Sequence, residues 1–433
     1  MTKFQIIAII VFLGGILAGL ISLATYKGSS TADEFPQITI WGTLPANVFD
    51  NYIEEVNTSL KIQLKITYIE RSEDTFNSDL VSALARGQSP DAVIIPTDLI
   101  YDQKDKYAVI PFTSYTKRDF KNNFIEESEI LLDTNGIIAF PFAVDPLVMY
   151  WNRAIFTSAG IASYPKTWDD LTSNITKLTK KDDNSSIFRS AVAFGEWRNV
   201  DNVKEIFSTL LMQAGDPITY RTQTGMQSSL GKIATGGNSN ATLDALTFFT
   251  DFSNTAKDLY SWNRSLPSSK SSFVSGKLAT YFGFSSEYTD IINKNPNLNF
   301  DIAPMPQLGG EYPRTTYGKM YVMAFPKISP NLTSAYQIAT TFLDPDLVKV
   351  WTKTTYLPPV RRDVIAEGSA DSYLSIFYDS ALISKAWIDP NPAESNRIFQ
   401  NMVETYTSGK SSASSLIDRT NLEFNKLFTN ENN

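Results

Sequence analysis

Histidine and cysteine are absent from all 433 residues. Their absence removes Ser-His-Asp hydrolysis, HExxH zinc chemistry and imidazole proton relays. It also removes thiolate nucleophiles, cysteine zinc sites and disulfide frameworks, and it weakens the case for a transition-metal ligand. Carboxylates, lysines, arginines and aromatic rings remain: 46 Asp plus Glu, 38 Lys plus Arg, 7 Trp, 20 Tyr and 27 Phe. Two carboxylates about 5–10 Å apart hydrolyse glycosides, but no pair stands out by motif. The same residue types also recognise polyols without covalent chemistry. Flat rings stack on the apolar faces, and carboxylates, amides or Arg bond the hydroxyls. Most of the rings are needed for the core.

One carboxylate is set apart. Asp145 lies inside the apolar run Gly136–Arg153, beside Pro146 and four residues after Pro141. A charge in such a run needs a partner or an open cleft. Proline cannot donate to a strand ladder, so the run is expected to form two buried strand segments broken in the middle, carrying the chain from one compact lobe to another.

Length and composition agree with two lobes. The chain is too long for one ordinary core. Charged residues make up 19%, the net charge is −8, and no basic patch marks a nucleic-acid surface. Phe4–Ala24 is apolar apart from Gln5 and Ser22, with Lys3 before it and Lys27 after. About 20 such residues span a bilayer. Ser30-Thr31-Ala32 is a poor cleavage site, so an uncleaved transmembrane anchor at 4–24 is expected, with a polar tether at 25–36.

The elements that must position any site follow in order. Gln37–Gly42 alternates as a first strand, Phe49–Val56 reads as helix, and Leu60–Ile69 alternates again. Phe76, Leu80 and Leu84 mark an amphipathic helix stopped at Gly87. Ser89-Pro90-Asp91 then turns into the strand Ala92–Ile95. Strand, helix, strand in this order is an α/β lobe. Thr167 with Asp170 is a capping-box start for a helix over Trp168–Lys181. Further helices are expected over Val203–Ala214 and Ala241–Asp258. Tyr321–Pro326 reads as a second crossing strand. Ser329-Pro330 and Asp344-Pro345 are read as proline-started helix caps, and Asn396–Phe428 as a helical tail.

Four stretches in this order resemble the bacterial extracellular solute-binding proteins of family 1, the maltose-binding-like receptors of ABC importers. They are Gly87–Ile95 with its Pro-Asp turn; Tyr150-Trp151-Asn152 through Pro165-Lys166-Thr167-Trp168-Asp169-Asp170-Leu171; Phe273-Val274-Ser275-Gly276-Lys277, where Thr280 replaces the usual Met of the box; and Leu357-Pro358-Pro359-Val360-Arg361. The resemblance spans roughly Ile38–Phe428. It implies an α/β, two-lobed, type II periplasmic-binding-protein-like fold, each lobe a sheet flanked by helices, behind one N-terminal transmembrane helix. Lobe 1 would comprise 37–143 plus 322–365, and lobe 2 would comprise 144–321 plus 366–433. It also implies a monomeric, non-enzymatic receptor with the large domain outside the cell membrane. Such a receptor would bind a carbohydrate without cofactor or metal and hand it to ABC permease subunits. The usual lipidated cysteine is missing, which leaves the apolar N-terminus as the membrane link.

A two-lobed α/β receptor binds at strand ends between the lobes. Trp41 and Thr43 end the first strand, and Asp98 follows Ala92–Ile95. Asp145 lies on the crossing, and Trp197 follows a strand of the second lobe. Phe284 and Ser285 follow the Phe-x-x-Gly-Lys stretch, Tyr317 and Gly318 precede the second crossing, and Arg361 sits in the Leu-Pro loop. Trp262 and Trp387 are weaker candidates. Each has a bland reading too: core for the tryptophans, a cap or ion pair for Asp145, an ion pair for Arg361. Two other functions fit the composition, a carboxylate-dependent surface glycan hydrolase and a surface receptor that does not serve transport. Within the binding class, ferric iron, phosphate and polyamines stay open beside sugars.

Overall fold

The computed structural model describes residues 37–430 except 62, 224, 233–239 and 311. The expected anchor and tether lie outside the described residues. Among the described residues no helix is long and apolar enough to cross a membrane.

Among the described residues ten strands form the main sheet: β1 (Ile38–Gly42), β2 (Ile66–Glu70), β3 (Ala92–Pro96), β4 (Phe140–Asn152), β5 (Lys180–Lys181), β6 (Ile187–Val192), β7 (Leu278–Phe284), β8 (Phe300–Pro304), β9 (Thr316–Ala324) and β10 (Ser384–Lys385). Their order is β2-β1-β3-β9-β4-β7-β6-β5, with β8 also on β4 and β10 on β9. β1, β2 and β3 are parallel, as strand–helix–strand units require. β4 and β9 run antiparallel to each other and join the halves.

β4 corrects the expectation of a broken run. It is one strand of 13 residues, buried throughout. Its prolines fall at an irregularity of the ladder and at the end of one pairing. Pro141 sits at a register shift, where Val322 faces Pro141 and Tyr321 already faces Ala143, leaving Phe142 as the extra residue. Pro146 faces Gly318 at the last pair with β9. From Leu147 onward β4 pairs instead with β7 and β8. The proline therefore marks a change of partners within an unbroken strand.

Helices cover the sheet. Those that matter below are α1 (Ala46–Ser59), α2 (Phe76–Ala85), α3 (Thr97–Asp102), α4 (Val203–Gln213), α5 (Glu287–Lys294), α6 (Leu332–Phe342), α7 (Pro345–Thr355), α8 (Ser372–Leu382), α9 (Pro392–Thr407) and α10 (Ala413–Asn430). α7 packs on α1, α8 packs on β4 and β8, and α4 packs on β9. Gly87 takes a φ of +70° past the end of α2, and Gln88 N–H reaches back to Ala83 O. The capping box at Thr167 and Asp170 is formed, but its helix stops at Thr172 and a second short helix covers Ile175–Leu178. Asp344 caps α7 with Pro345 in its first turn. Ser329-Pro330 starts no helix. Ser329 Oγ is committed to Asp91, and α6 begins at Leu332. The tail is two helices, α9 and α10, broken at Gly409, where φ is +65°.

The aromatic residues go mainly to packing. Phe49, Tyr52, Phe142, Phe342 and Trp351 interlock between α1, α6, α7 and β4, with Tyr52 edge-on to Trp351 at 5.0 Å. Phe194 meets Trp168, Phe249, Phe252 and Phe282 in the other half.

Candidate functional site

Asp98 and Tyr317 lead to the site. β3 ends at Pro96, and the turn into α3 places Asp98 in the helix's first turn. Tyr317 comes from β9, just before the strand reaches β3. Its hydroxyl stands 3.4 Å from Asp98 Oδ2. The two residues line a cavity of about 720 Å³ together with Glu73, Asp74, Asn77, Asp102, Asn202, Lys204, Glu205, Lys319, Asn391 and Asn396. Its walls come from α2 and α3 on one side, from α4 and α9 on the other, and from β9 between them.

Two ammonium groups enter this cavity, each already paired. Lys204, in the first turn of α4, donates to Asp389 Oδ2 at 2.6 Å. Lys204 and Asp389 are both buried, and Asp389 also receives Ser395 Oγ and Asn391 N–H. Burial alone would lower the Lys204 pKa, but Asp389 and Asp98 hold it above the usual range. Lys319 of β9 reaches both carboxylate oxygens of Glu73, at 2.7 and 2.8 Å. Burial works against that ammonium, while Tyr321 and Glu73 raise its pKa. Asp98 has no ion pair among the described residues. Burial pushes its pKa up to about 6, against the pull of the Lys204 ammonium.

Asn202 holds the start of α4 at a φ of +55°, a conformation that asparagine tolerates better than most residues. Its amide donates to Glu287 Oε1 at 2.7 Å and to Tyr281 Oη at 3.2 Å. A second cavity of about 870 Å³ shares Asp102 and Asn391 with the first, so the groove continues past Tyr101, Lys104 and Tyr107. Beyond its lobe-one wall, Asp133 binds both Lys104 at 2.6 Å and Arg221 at 3.0 Å. Burial opposes ionisation there, but these partners hold its pKa at about 2.

Of the ten candidates, Asp98 and Tyr317 line the cavity; the other eight do not. Asp145 is buried and accepts Ser285 Oγ at 2.7 Å and Ser286 N–H at 3.0 Å, latching the turn before α5 to the crossing strand. Ser285 is thereby committed as well. Burial raises the Asp145 pKa, with the Ser286 and Ser285 bonds opposing the rise. Trp197 is buried against Phe207 and Phe399 and donates to Asn396 Oδ1 at 3.1 Å, so it stands behind the wall. Phe284 meets Tyr317 edge-on at 6.3 Å. A Cβ at Gly318 would lie 2.4 Å from Glu127 Oε2, so glycine there admits the buried Glu127 carboxyl to the crossing. Trp41 is buried under the Arg71 guanidinium, 4.2 Å from its ring centre, and Thr43 N–H is bonded to Ile94 O. Arg361 pairs with Asp363 and Leu343 O and lines a separate groove beside α7. Trp262 and Trp387 are buried, bonded to Asn199 and Ser208.

Lys204, Lys319, Glu73 and the asparagines of the wall are absent from the sequence-based set. The signal available for Lys204 was a lysine in the otherwise largely apolar stretch Val203–Leu211. Nothing local singles out Glu73 or Asn391.

The model of a family described as bacterial extracellular solute-binding protein matches residues 51–375. A protein of Brucella abortus strain 2308, named as a binding protein, is 26% identical over 171 residues. That match takes in 38% of this chain and 40% of the relative, so the chain spans under half the length of the curated relatives it matches. A sugar-binding protein of Xanthomonas citri superposes with a TM-score of 0.72 at 14% identity, over 92% of this chain and 98% of the other. The cyclic α-maltosyl-1,6-maltose binding protein of Arthrobacter globiformis gives 0.71 at 19% identity, over 91% and 99%. At such identities the likeness establishes the two-lobed fold.

Proposed function

The chain belongs to the bacterial extracellular solute-binding proteins, and we propose that it binds a sugar or oligosaccharide between its lobes and delivers it to an ABC permease. The observation that carries this reading is the cavity of about 720 Å³, walled by α2 and α3 from one side and by α4 and α9 from the other. Its continuation past Asp102 and Asn391 leaves room for more than one sugar unit. The similarity to the sugar-binding protein of Xanthomonas citri and the cyclic α-maltosyl-1,6-maltose binding protein of Arthrobacter globiformis supports the solute class. Binding is the whole activity. Carboxylates and amides on both walls would bond ligand hydroxyls, and closure would bend β4 near Pro146 and β9 near Gly318, where the ladder changes partners.

The apolar run Phe4–Ala24 supports a single-pass anchor that holds a monomeric receptor on the outer face of the cell membrane. Membrane fractionation of the full chain, set against a form beginning at residue 37, tests that part. The binding reading is tested by isothermal titration of residues 37–433 with a panel of neutral and charged oligosaccharides, together with small-angle scattering. A ligand present at about 100 times its Kd should raise stability by about 2.7 kcal/mol and shrink the radius of gyration. Titrations without heat and scattering without compaction across the panel would overturn it.

A further inference from the structure

The charged groups left without an ion pair in this cavity share one sign. Both ammonium groups are neutralised by carboxylates of the chain itself, Lys204 by Asp389 and Lys319 by Glu73. Asp74, Asp98, Asp102 and Glu205 line the same space without an ion pair among the described residues. Asn77, in the α2 wall, donates through Nδ2 to Asp102 Oδ2 at 2.9 Å, which fixes that carboxylate at the cavity. The cavity therefore carries negative charge beside the amide nitrogens of Asn391 and Asn396, and among the described residues both of its cations are paired.

It also lacks stacking platforms. Among the described residues Tyr317 is the one aromatic in its lining. Trp41, Trp197, Trp262 and Trp387 are all buried elsewhere. A neutral sugar held chiefly by ring stacking finds little here. A solute carrying an ammonium group finds Asp98, whose carboxylate makes only the long contact to the Tyr317 hydroxyl.

We infer that this site selects solutes bearing a protonated amine, held between Asp98 and the Asn77–Asp102 wall, with amino sugars as the favoured carriers. This rests on the binding reading above and narrows its solute class. Charge-assisted hydrogen bonds are roughly twice as strong as neutral ones.

The test titrates residues 37–433 with a glucosamine trimer, its fully N-acetylated counterpart, maltotriose and spermidine. The two aminosugar trimers share ring and linkage and differ in charge. The expected result is binding of the glucosamine trimer at least about tenfold tighter than of the acetylated form, as one charged contact of this strength provides. In Asp98→Asn that preference should fall below about threefold, with an unchanged melting temperature or a higher one showing that the variant is folded. Spermidine binding without either trimer would uphold selection of the amine and overturn the sugar reading. Equal or tighter binding of the acetylated trimer or maltotriose would overturn the inference and leave the sugar reading standing. No heat from any of the four would remove both.

Discussion

Asp145 and Asp98 occupy two regions that look alike in the sequence. Each is a carboxylate beside a proline-containing strand end, and burial raises the pKa of both. The structure treats them oppositely. Asp145, on the crossing strand β4, is enclosed and takes two short bonds from Ser285 and Ser286. Asp98, at the lobe-one rim of the cavity, has one contact of 3.4 Å and open space beside it. Burial alone does not mark a binding residue. A carboxylate whose bonds are filled from within holds the fold together, whereas one left underfilled at a cavity wall is available to a ligand.

The comparison breaks most visibly at Lys204, whose charge acts on Asp98. Lys204→Met strands the buried Asp389, and removing one partner of a buried pair costs about 3–5 kcal/mol. Urea unfolding should show a loss of that size. A loss under 1 kcal/mol would mean that Asp389 is satisfied by Ser395 and Asn391 alone.

Asp145→Ala comes next. It leaves the Ser285 hydroxyl and the Ser286 N–H without their acceptor, and unmade bonds of this kind cost about 1–3 kcal/mol. The melting temperature should drop, while affinity for any cleft ligand changes less than threefold at a temperature well below the melt. Intact stability with lost affinity would place Asp145 in the site after all.

A smaller effect separates the two carboxylates by pH. The folded-state pKa of Asp98 is about 6, above the roughly 3.9 of an unfolded aspartate. Folded protein therefore holds a proton between those values that unfolded chain has released. The contribution of Asp98 to stability is complete below about pH 4 and is lost as pH rises to about 6. The wild type minus Asp98→Asn stability difference should decline across that window and level off above it; a flat difference would refute the assignment. Asp133 runs the other way. Its folded pKa of about 2 makes its stabilisation complete above about pH 4 and lost as pH falls towards 2, so Asp133→Asn should remove that acid-side loss.

The smallest effect is expected at Trp197. Trp197→Phe keeps a ring against Phe207 and Phe399 but frees Asn396. Losing one such hydrogen bond costs about 1 kcal/mol, and the loosened Asn396 should weaken ligand binding a few-fold. Unchanged affinity would show that the orientation of Asn396 does not matter.

Much of the fold was legible because it is written locally. Alternation located β1, the apolar spacing of Phe76, Leu80 and Leu84 located α2, Gly87 ended it, and Thr167 and Asp344 capped their helices. These features depend on residues a few positions apart. Pro141 misled because a proline forbids a particular ladder bond, and whether that bond was needed depends on β9, nearly two hundred residues away. The site was legible only where a strand end marks it, at Asp98 and Tyr317. Lys204, Glu73 and Asn391 share the cavity with them because β4 and β9 fold the two halves face to face. The difference between Asp145 and Asp98 lies in hydrogen-bond donors brought from distant segments. The sequence by itself determined which residues carry charge and where helices and strands begin. Only the tertiary structure decided which charges were neutralised and which were left facing the cavity, because that depends on partners the chain brings together only by folding.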